Sequence, residues 1–228
     1  MSGPRLRVRW IVFDVGETLI DESRMWHEWA DIVGVPRFTF TAALGAVIAR
    51  GEDHRRVFDV VAPGVDWRAL PVKRGLPPPS RIEPDDLYRD VREGLAEIRA
   101  AGFRVGIAGN QPAATEQAMA GLGLPFDLVT SSQTLGATKP DPMFFERLVA
   151  VAGDAAPAIA YVGDRLDNDV VAARAAGMHG ILLRRGPWAT IAAGTATRDP
   201  DVLVVDSIPG LLDVLEPADA RATTRTDG

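Results

Sequence analysis

The chain has 228 residues, of which 46% are hydrophobic and 25% charged, and its formal net charge at pH 7 is −6. This composition is typical of a globular protein with a sizeable core and excludes a disordered chain. The absence of cysteine excludes disulfides and thiolate metal sites. Without a basic patch, a membrane-length apolar run or a signal-peptide pattern, we expect a cytoplasmic protein with no nucleic-acid partner and no membrane association.

The first predicted strand is the apolar run from Val8 to Phe13, which ends in Asp14. A short, continuous apolar run is typical of a strand that is buried on both faces of a parallel sheet. An aspartate at the carboxyl end of such a strand lies where open α/β sheets bind ligands, although aspartate is also common in turns. Asp14 is therefore the first candidate functional residue.

The next segment, residues 20–83, has the pattern of a small all-helical insertion. Helices are predicted in it at 21–33, 39–48 and 53–61. A proline-rich stretch at 71–84 then resembles a linker. Because the insertion is too long for a connecting loop, we expect a helical cap at 20–83 and a core made of residues 1–19 and 84–228.

Beyond the linker, predicted helices alternate with predicted strands. The strands fall at 103–108, 126–130, 159–162, 180–183 and 202–205. The helices fall at 85–101, 115–121, 142–152, 169–176 and 207–215. This alternation predicts an α/β fold with a doubly wound parallel sheet. Residues 216–228 show no apolar periodicity, which predicts a mobile tail.

Four stretches carry polar residues at the end of a predicted strand or at the start of a helix. They are Phe13-Asp14, Gly109-Asn110, Lys139 before Pro140-Asp141-Pro142, and Gly163-Asp164 with Asp169. In this order they resemble the four motifs of the haloacid dehalogenase superfamily of phosphohydrolases, from residue 8 to about residue 183. The resemblance implies a Rossmann-like core with a cap after the first strand. It also implies a Mg²⁺-dependent hydrolase that acts on a small phosphorylated molecule.

The resemblance assigns roles to the residues of these motifs. Asp14 is the implied nucleophile, which forms an aspartyl phosphate. Mg²⁺ prefers oxygen ligands, and the implied ones are the carboxylates of Asp14, Asp164 and Asp169 and the backbone carbonyl of Gly16. Lys139 is implied to bind both the nucleophile and the phosphoryl group as a point charge. Without the resemblance, Lys139 would be read as a surface lysine and Asp169 as a helix N-cap.

Two positions depart from the pattern of the superfamily. Where its phosphatases carry a second aspartate, two residues after the nucleophile, this chain has Gly16. General acid–base help is worth roughly 10²–10⁴-fold, so its loss predicts slow hydrolysis of alkyl phosphates, which Gly16→Asp should partly restore. Where the superfamily has a serine or threonine at the end of the second strand, this chain has Gly109. Phosphate binding there is then predicted from a backbone N–H and the side-chain amide of Asn110.

The residue that replaces the missing acid is left open by the sequence. The candidates are Glu17, Asp21, His27 and Glu28. Glu17 begins on the opposite side of an extended segment from Asp14, unless Gly16 bends the chain. His27 titrates near neutrality, but its helix carries large apolar residues. The cap tryptophans, which are more typical of a core than of a substrate pocket, are Trp26, Trp29 and Trp67.

Three functions therefore remain as hypotheses. The first is a Mg²⁺-dependent phosphatase of a small metabolite or an activated phosphate. The second is a 2-haloacid dehalogenase, for which Gly16 is no handicap because halide leaves without a proton, although the Asp164 and Asp169 pair argues against it. The third is a catalytically weakened phosphate-binding module. The sequence does not indicate the substrate or the oligomeric state.

Overall fold

The computed structural model of the protein describes residues 5–196 and 201–218. The strands in these residues are β1 (Leu6–Val8), β2 (Trp10–Phe13), β3 (Arg104–Gly109), β4 (Leu128–Ser131), β5 (Ile159–Gly163), β6 (His179–Leu183), β7 (Leu203–Val205) and β8 (Leu215–Pro217). Six of them form one sheet in the order β4-β3-β2-β5-β6-β7, and every neighbouring pair is parallel. The predicted α/β fold with a doubly wound parallel sheet is confirmed.

Helices cover this sheet and fill the segment between β2 and β3. They are α1 (Ser23–Val33), α2 (Arg37–Ala49), α3 (Val57–Val61), α4 (Leu70–Lys73), α5 (Val91–Ala100), α6 (Ala113–Gly121), α7 (Ser132–Leu135), α8 (Pro142–Ala152), α9 (Ala172–Ala175), α10 (Gly186–Ala196) and α11 (Leu211–Val214). A π-helical turn, Leu166–Val171, leads directly into α9. In the described part of the chain, no single helix is long and apolar enough to cross a membrane. The pair α1 and α2 meets those criteria only jointly, and the two helices are bent by 114°.

The central strand β2 is buried because helices pack on both faces of the sheet. Ile11 and Phe13 point into one apolar cluster, which includes side chains from α5 and α6. Trp10 and Val12 point into a second cluster, which is built largely on α8. This alternation is the normal pleat of a strand, and it explains why the sequence of β2 is apolar at every position.

The helices α1, α2 and α3, which follow β2, share a third apolar cluster that is rich in aromatic side chains. Phe58 and Trp67 stack with their ring centroids 4.0 Å apart and their planes 10° apart. Trp188, from α10, also packs against this cluster and joins it to the core. The sequence analysis did not predict α10. The boundaries at 20 and 83 stay a prediction, and we call this helical segment the cap.

Two expectations for the chain ends were wrong. The first apolar run is two strands, because Val8 belongs to β1 and Arg9 interrupts the run to pair with Asp154. Glu216, which we placed in the mobile tail, lies in β8 and pairs with Arg7 in parallel register. This strand forms because the side chain of its first residue, Leu215, is buried and the backbone of β1 offers hydrogen-bond partners to its backbone. The remainder of the predicted tail, 219–228, lies outside the described residues.

The helix expected at 85–101 begins later, at Val91. Asp86 instead closes a 3₁₀ turn, where its side chain accepts a hydrogen bond from the Glu83 N–H at 2.8 Å. The same carboxylate pairs with Arg24 of α1 at 2.6 Å. This tertiary ion pair fixes the point where the cap returns to the core. The contacts of Asp86 hold its backbone in the turn and so delay the start of the helix. The local sequence pattern does not reveal this, because Arg24 is distant in the chain.

A candidate active site at the carboxyl ends of the central strands

The predicted metal-binding carboxylates meet at the carboxyl edge of the sheet. Asp14 directly follows β2, and its N–H donates to the carbonyl of Val162 in the adjacent β5 at 2.9 Å. Asp164 follows β5, and Asp169 lies in the π-helical turn after it. One carboxylate oxygen from each of Asp14, Asp164 and Asp169 lies within 4.8 Å of the other two. The strand order, with β2 beside β5, creates this proximity.

Lys139 lies between two of these carboxylates. Its Nζ atom is 2.9 Å from Oδ1 of Asp14 and 2.6 Å from Oδ1 of Asp169, and its side chain is 1% exposed. Burial alone would lower the pKa of Lys139, but the two carboxylates together raise it well above its usual value. The lysine therefore stays charged at any physiological pH, as its predicted role requires.

Asn110 fixes the main chain of Lys139. The Oδ1 atom of Asn110 accepts from the N–H of Lys139 at 2.7 Å, and its amide group donates to the Lys139 carbonyl at 2.9 Å. We had assigned the amide of Asn110 to phosphate binding. One of its two hydrogens is instead used to position the lysine, because the loop carrying Lys139 lies directly against the end of β3.

Asp164 has the features expected of a metal ligand. It is 2% exposed, and its Oδ1 atom has only a long contact of 3.5 Å with the hydroxyl of Thr18. Its Oδ2 atom is buried and has no hydrogen-bond partner in the described residues. Burial, followed by the charges of Asp169 and Asp14, raises the pKa of Asp164 well above its usual value. A cation in this position would satisfy the orphaned oxygen and offset the like charges.

Asp169 is completely buried, and both of its oxygens have partners. Oδ1 contacts Lys139, and Oδ2 accepts from the Arg165 N–H at 3.0 Å. The side chain fits only because residue 163 is glycine, since a Cβ atom at Gly163 would collide with the Asp169 carboxylate. Burial raises the pKa of Asp169 to about 6, although Lys139 opposes the shift.

Gly109, at the end of β3, also makes room for a site residue. A Cβ atom at this position would lie 2.6 Å from Oδ1 of Asp14. The serine or threonine of the superfamily pattern would therefore displace Asp14 from the position it occupies here. This observation gives the second departure of the sequence a steric reason.

Gly16 faces a carboxylate that the sequence analysis did not consider. A Cβ atom on Gly16 would lie 3.0 Å from Cδ of Glu22 and closer still to its Oε1 atom. The chain turns back sharply between the two residues, because the Glu17 N–H donates to the Ile20 carbonyl at 2.7 Å. Burial, followed by the charges of Glu17 and Asp14, raises the pKa of Glu22 to about 8. In the sequence, Glu22 is recognisable only as an acidic residue just before the first predicted helix of the cap, which does not point to a role in the site.

Glu17 lines the cavity that contains Asp14, but its carboxylate already has partners of its own. Its φ of 52° lies in the left-handed region, and the residue is 6% exposed. Its Oε2 atom accepts from the hydroxyl of Tyr88 at 2.6 Å, and its Oε1 atom accepts from the Glu22 N–H at 3.2 Å. Burial raises the pKa of Glu17 to about 7. Its carboxylate therefore has structural partners on both oxygens.

The other three candidate acids do not line the cavity that contains Asp14. Glu28 pairs with Arg81 at 2.6 Å on the surface of the cap. Asp21 accepts from the Ser23 N–H at 2.8 Å and so helps to start α1. His27 lies on the same helix. The tryptophans at 26, 29 and 67 are all in the apolar cluster of the cap, as expected for core residues.

The site opens into a cavity of about 330 Å³ between the core and the cap. Its core side includes Asp14, Gly16, Glu17, Asn110, Lys139 and Asp164. Its cap side is formed by Glu22 and by residues 51–55, and Trp188 closes one flank. Among these, His54 contacts the ring of Trp188 edge-on, with centroids 5.4 Å apart. The sequence analysis did not single out His54 or Trp188, because neither lies near a motif in the chain.

Comparisons with known proteins agree with this architecture. A family model described as haloacid dehalogenase-like hydrolase matches residues 8–177. The chain is 37% identical over 103 residues to a phosphoglycolate phosphatase of Colwellia psychrerythraea, covering 44% of this chain and 45% of the relative. It is 32% identical over 131 residues to a glyceraldehyde 3-phosphate phosphatase of Methanopyrus kandleri, covering 56% of each chain. The chain thus spans about half the length of the curated relatives that it matches.

A solved structure of similar fold is the L-2-haloacid dehalogenase of Xanthobacter autotrophicus with chloropropionic acid covalently bound. Its TM-score is 0.61 at 20% identity, and the match covers 90% of this chain and 96% of that one. At this level of identity the match shows the fold, which hosts more than one reaction.

Proposed function

The chain belongs to the haloacid dehalogenase-like hydrolase family, and we propose that it is a Mg²⁺-dependent phosphatase of a small metabolite or an activated phosphate. The observation that carries the proposal is the cluster of Asp14, Asp164 and Asp169, with the buried ammonium group of Lys139 between Asp14 and Asp169. The names of the two curated relatives, both phosphatases of small three-carbon or two-carbon phosphates, support the same reaction class.

We assign the nucleophile to Asp14. Its carboxylate is 13% exposed by side-chain area and lines the cavity, so it can reach a bound phosphate. The first step joins an Asp14 oxygen to phosphorus and breaks the ester bond, and the second transfers the phosphoryl group to water. Lys139 contacts only the Oδ1 oxygen of Asp14.

The residues present fit a bound Mg²⁺. The ligands we propose are the carboxylates of Asp14, Asp164 and Asp169 and the backbone carbonyl of Gly16, and the fit rests on the orphaned Oδ2 of Asp164. Three carboxylates and one lysine leave an excess of negative charge in a buried site that must also accept a phosphate. When bound, Mg²⁺ would neutralise that charge and polarise the phosphoryl group.

Phosphate binding is assigned to Lys139 and to the backbone around Gly109 and Asn110. Lys139 supplies a fixed positive charge at the nucleophile. The backbone N–H groups around Gly109 and Asn110 supply donors at the end of β3, where a side-chain hydroxyl is lacking. Asn110 acts chiefly by holding the main chain of Lys139 in place. We further propose that the partner is a small phosphorylated molecule and that the protein works in the cytoplasm.

A 2-haloacid dehalogenase is the alternative that Gly16 favours, since halide needs no proton to leave. The buried pair Asp164 and Asp169 weighs against it, because a dehalogenase would gain nothing from a second buried carboxylate, Asp169, whose charge raises the pKa of Asp164.

The test is a substrate panel with purified protein, from which metal has been stripped and to which Mg²⁺ is then added. The panel contains acetyl phosphate, an aryl phosphate, phosphoglycolate, glyceraldehyde 3-phosphate and 2-chloropropionate. We expect Mg²⁺-dependent release of phosphate and none of chloride, and no release from the Asp14→Asn variant. Chloride release without added metal would establish the dehalogenase instead. Release of neither ion would contradict both enzymes and favour a phosphate-binding module.

A further inference from the structure

We propose that the carboxyl group of Glu22 is the general acid and base of this site, in place of the side chain that Gly16 lacks. The inference rests on the proposed phosphatase function. The carboxylate comes from the residue directly before α1, and so from the cap side of the site.

The geometric observation concerns the space beside Gly16. A Cβ atom built on Gly16 would lie 3.0 Å from Cδ and 3.7 Å from Cγ of Glu22, and its closest neighbour would be Oε1. The volume that a side chain at position 16 would enter is therefore filled by another carboxyl group. Residue 16 is two positions after the proposed nucleophile, on the wall of the same cavity.

Neighbouring groups hold the Glu22 side chain in this orientation. The indole N–H of Trp26 donates to its Oε2 atom at 3.2 Å. The main-chain N–H of Glu22 donates to Oε1 of Glu17 at 3.2 Å, which anchors the start of α1 beside the turn after β2. Oε2 thus has an internal donor, while Oε1 faces Gly16. A side chain that only capped the helix would instead accept from the first turn of α1, and Glu22 makes no such bond.

The two proton transfers balance the reaction. In the first step an Asp14 oxygen bonds to phosphorus, the phosphorus–oxygen bond of the ester breaks, and the protonated Glu22 carboxyl gives its proton to the departing alkoxide. In the second step Glu22, now a carboxylate, takes a proton from water as the water oxygen bonds to phosphorus and the bond to Asp14 breaks. The products are an alcohol and inorganic phosphate, and Glu22 ends protonated as it began.

The first experiment compares the wild-type protein with Glu22→Gln on an alkyl and an aryl phosphate, with Mg²⁺ present. The variant should lose about 10²–10⁴-fold in turnover of the alkyl ester, whose leaving group needs a proton. With the aryl phosphate the first step should remain fast, because the leaving group is a weak base, while the second step lacks its base. We therefore expect an initial burst in which the concentration of released phenol equals the enzyme concentration, and we expect the phosphoenzyme to accumulate.

The control variant is Asp31→Asn, which makes the equivalent change on α1 where the carboxylate pairs with Arg37 at the surface. It should leave both substrates unaffected. Melting curves of both variants establish that they are folded. If Glu22 were only structural, its loss would slow both substrates alike and produce no burst, and this outcome would overturn the proposal.

A second experiment moves the carboxylate. The sequence alone predicts a gain from Gly16→Asp, but the structure reverses this expectation: the single variant should lower activity, because the new side chain would enter space that Glu22 occupies. In the double variant Gly16→Asp/Glu22→Ala, the space is free, and alkyl phosphatase activity should rise at least tenfold above that of Glu22→Ala. Activity in the single variant above that of wild type would contradict the proposed overlap.

The two proposals fail in different ways. If the wild-type protein released no phosphate from any ester, both the proposed phosphatase function and the proposed role of Glu22 would be contradicted. If the wild type were active and Glu22→Gln kept its alkyl phosphatase rate within threefold, the role of Glu22 alone would be overturned.

Discussion

The side chain of Asn110 makes two hydrogen bonds to one residue, Lys139, across 29 positions of sequence. It accepts from the Lys139 N–H at 2.7 Å and donates to the Lys139 carbonyl at 2.9 Å. The pair connects the end of β3 to the loop before α8. The lysine itself bridges Asp14 and Asp169, so Asn110 determines where the positive charge of the site lies.

We predict that Asn110→Ala lowers kcat by about 10- to 100-fold, because misplacing a positioning group by about 1 Å has effects of that size. Asn110→Asp keeps the acceptor for the Lys139 N–H but loses the donor, and should give an intermediate loss. Steady-state rates with an aryl phosphate measure both. A loss that appeared only in KM would indicate that Asn110 binds substrate instead of positioning Lys139.

We predict that introducing at position 109 the hydroxyl of the superfamily pattern lowers the activity of this protein. A Cβ atom at position 109 would lie 2.6 Å from Oδ1 of Asp14, so Gly109→Ser should displace the nucleophile. Gly109→Ala adds the same Cβ atom without the hydroxyl and serves as the matched variant. Both should lower kcat/KM by about tenfold or more through misplacement of the nucleophile. A gain of activity in Gly109→Ser alone would mean that a missing phosphate donor limits the wild type.

We predict that Asp14→Asn lowers phosphate release by at least about 10³-fold, the scale seen when a nucleophile is removed. The change removes the attacking charge and preserves the volume of the side chain. Lys139 keeps its ion pair with Asp169, so the fold should survive. Phosphate release and a melting curve check the two halves of the prediction. Substantial release by a folded variant would move the nucleophile to another residue.

We predict opposite effects of Asp164→Asn with and without Mg²⁺. In metal-free protein the variant should be more stable than the wild type, because burial and neighbouring carboxylates raise the pKa of Asp164 and make its charge costly. With Mg²⁺ at 100 times its Kd, the wild type should gain about 2.7 kcal/mol, and the variant much less. Thermal melts after chelation and after Mg²⁺ addition measure both effects. Equal Mg²⁺ gains in the two proteins would remove Asp164 from the ligand set.

We predict that His54 makes stability depend on pH. Burial is the main cause that lowers the pKa of His54 to about 4, and nearby Arg55 and Arg165 act in the same direction while Asp53 opposes them. His54 therefore binds a proton near pH 6.5 in the unfolded chain, but in the folded protein it does so only near pH 4. The free energy of unfolding carries no penalty from His54 above pH 6.5. It falls as the pH drops toward 4, by at most about 3 kcal/mol.

The measurement is the free energy of unfolding between pH 4 and pH 8 for the wild type and His54→Gln. The difference between the two proteins should shrink or reverse as the pH falls, because only the wild type must hold a neutral histidine. His179→Gln is the control, since His179 lies on β6, away from the cap and from this cavity. Parallel pH profiles for wild type and His54→Gln would contradict the prediction.

The fold class and the positions of the site motifs could be predicted from the amino-acid sequence alone. The apolar runs were sufficient to place the strands of the parallel sheet, because burial on both faces requires apolar residues at nearly every position. The carboxyl ends of such strands share one edge, so Asp14 and Asp164 had to lie near each other once β2 and β5 were neighbours. Their roles as nucleophile and metal ligand remain proposals.

The groups that surround these residues could not be predicted in this way, because they come from distant parts of the chain. Asn110 faces the main chain of Lys139, and β8 pairs with β1, through contacts between residues far apart in sequence. Glu22 fills the space beside Gly16 because the turn after β2 brings the start of α1 back over it. Strand and helix periodicity report which side of an element is buried, but they carry no information on which distant group fills a given volume. Packing and hydrogen bonding in three dimensions determine that.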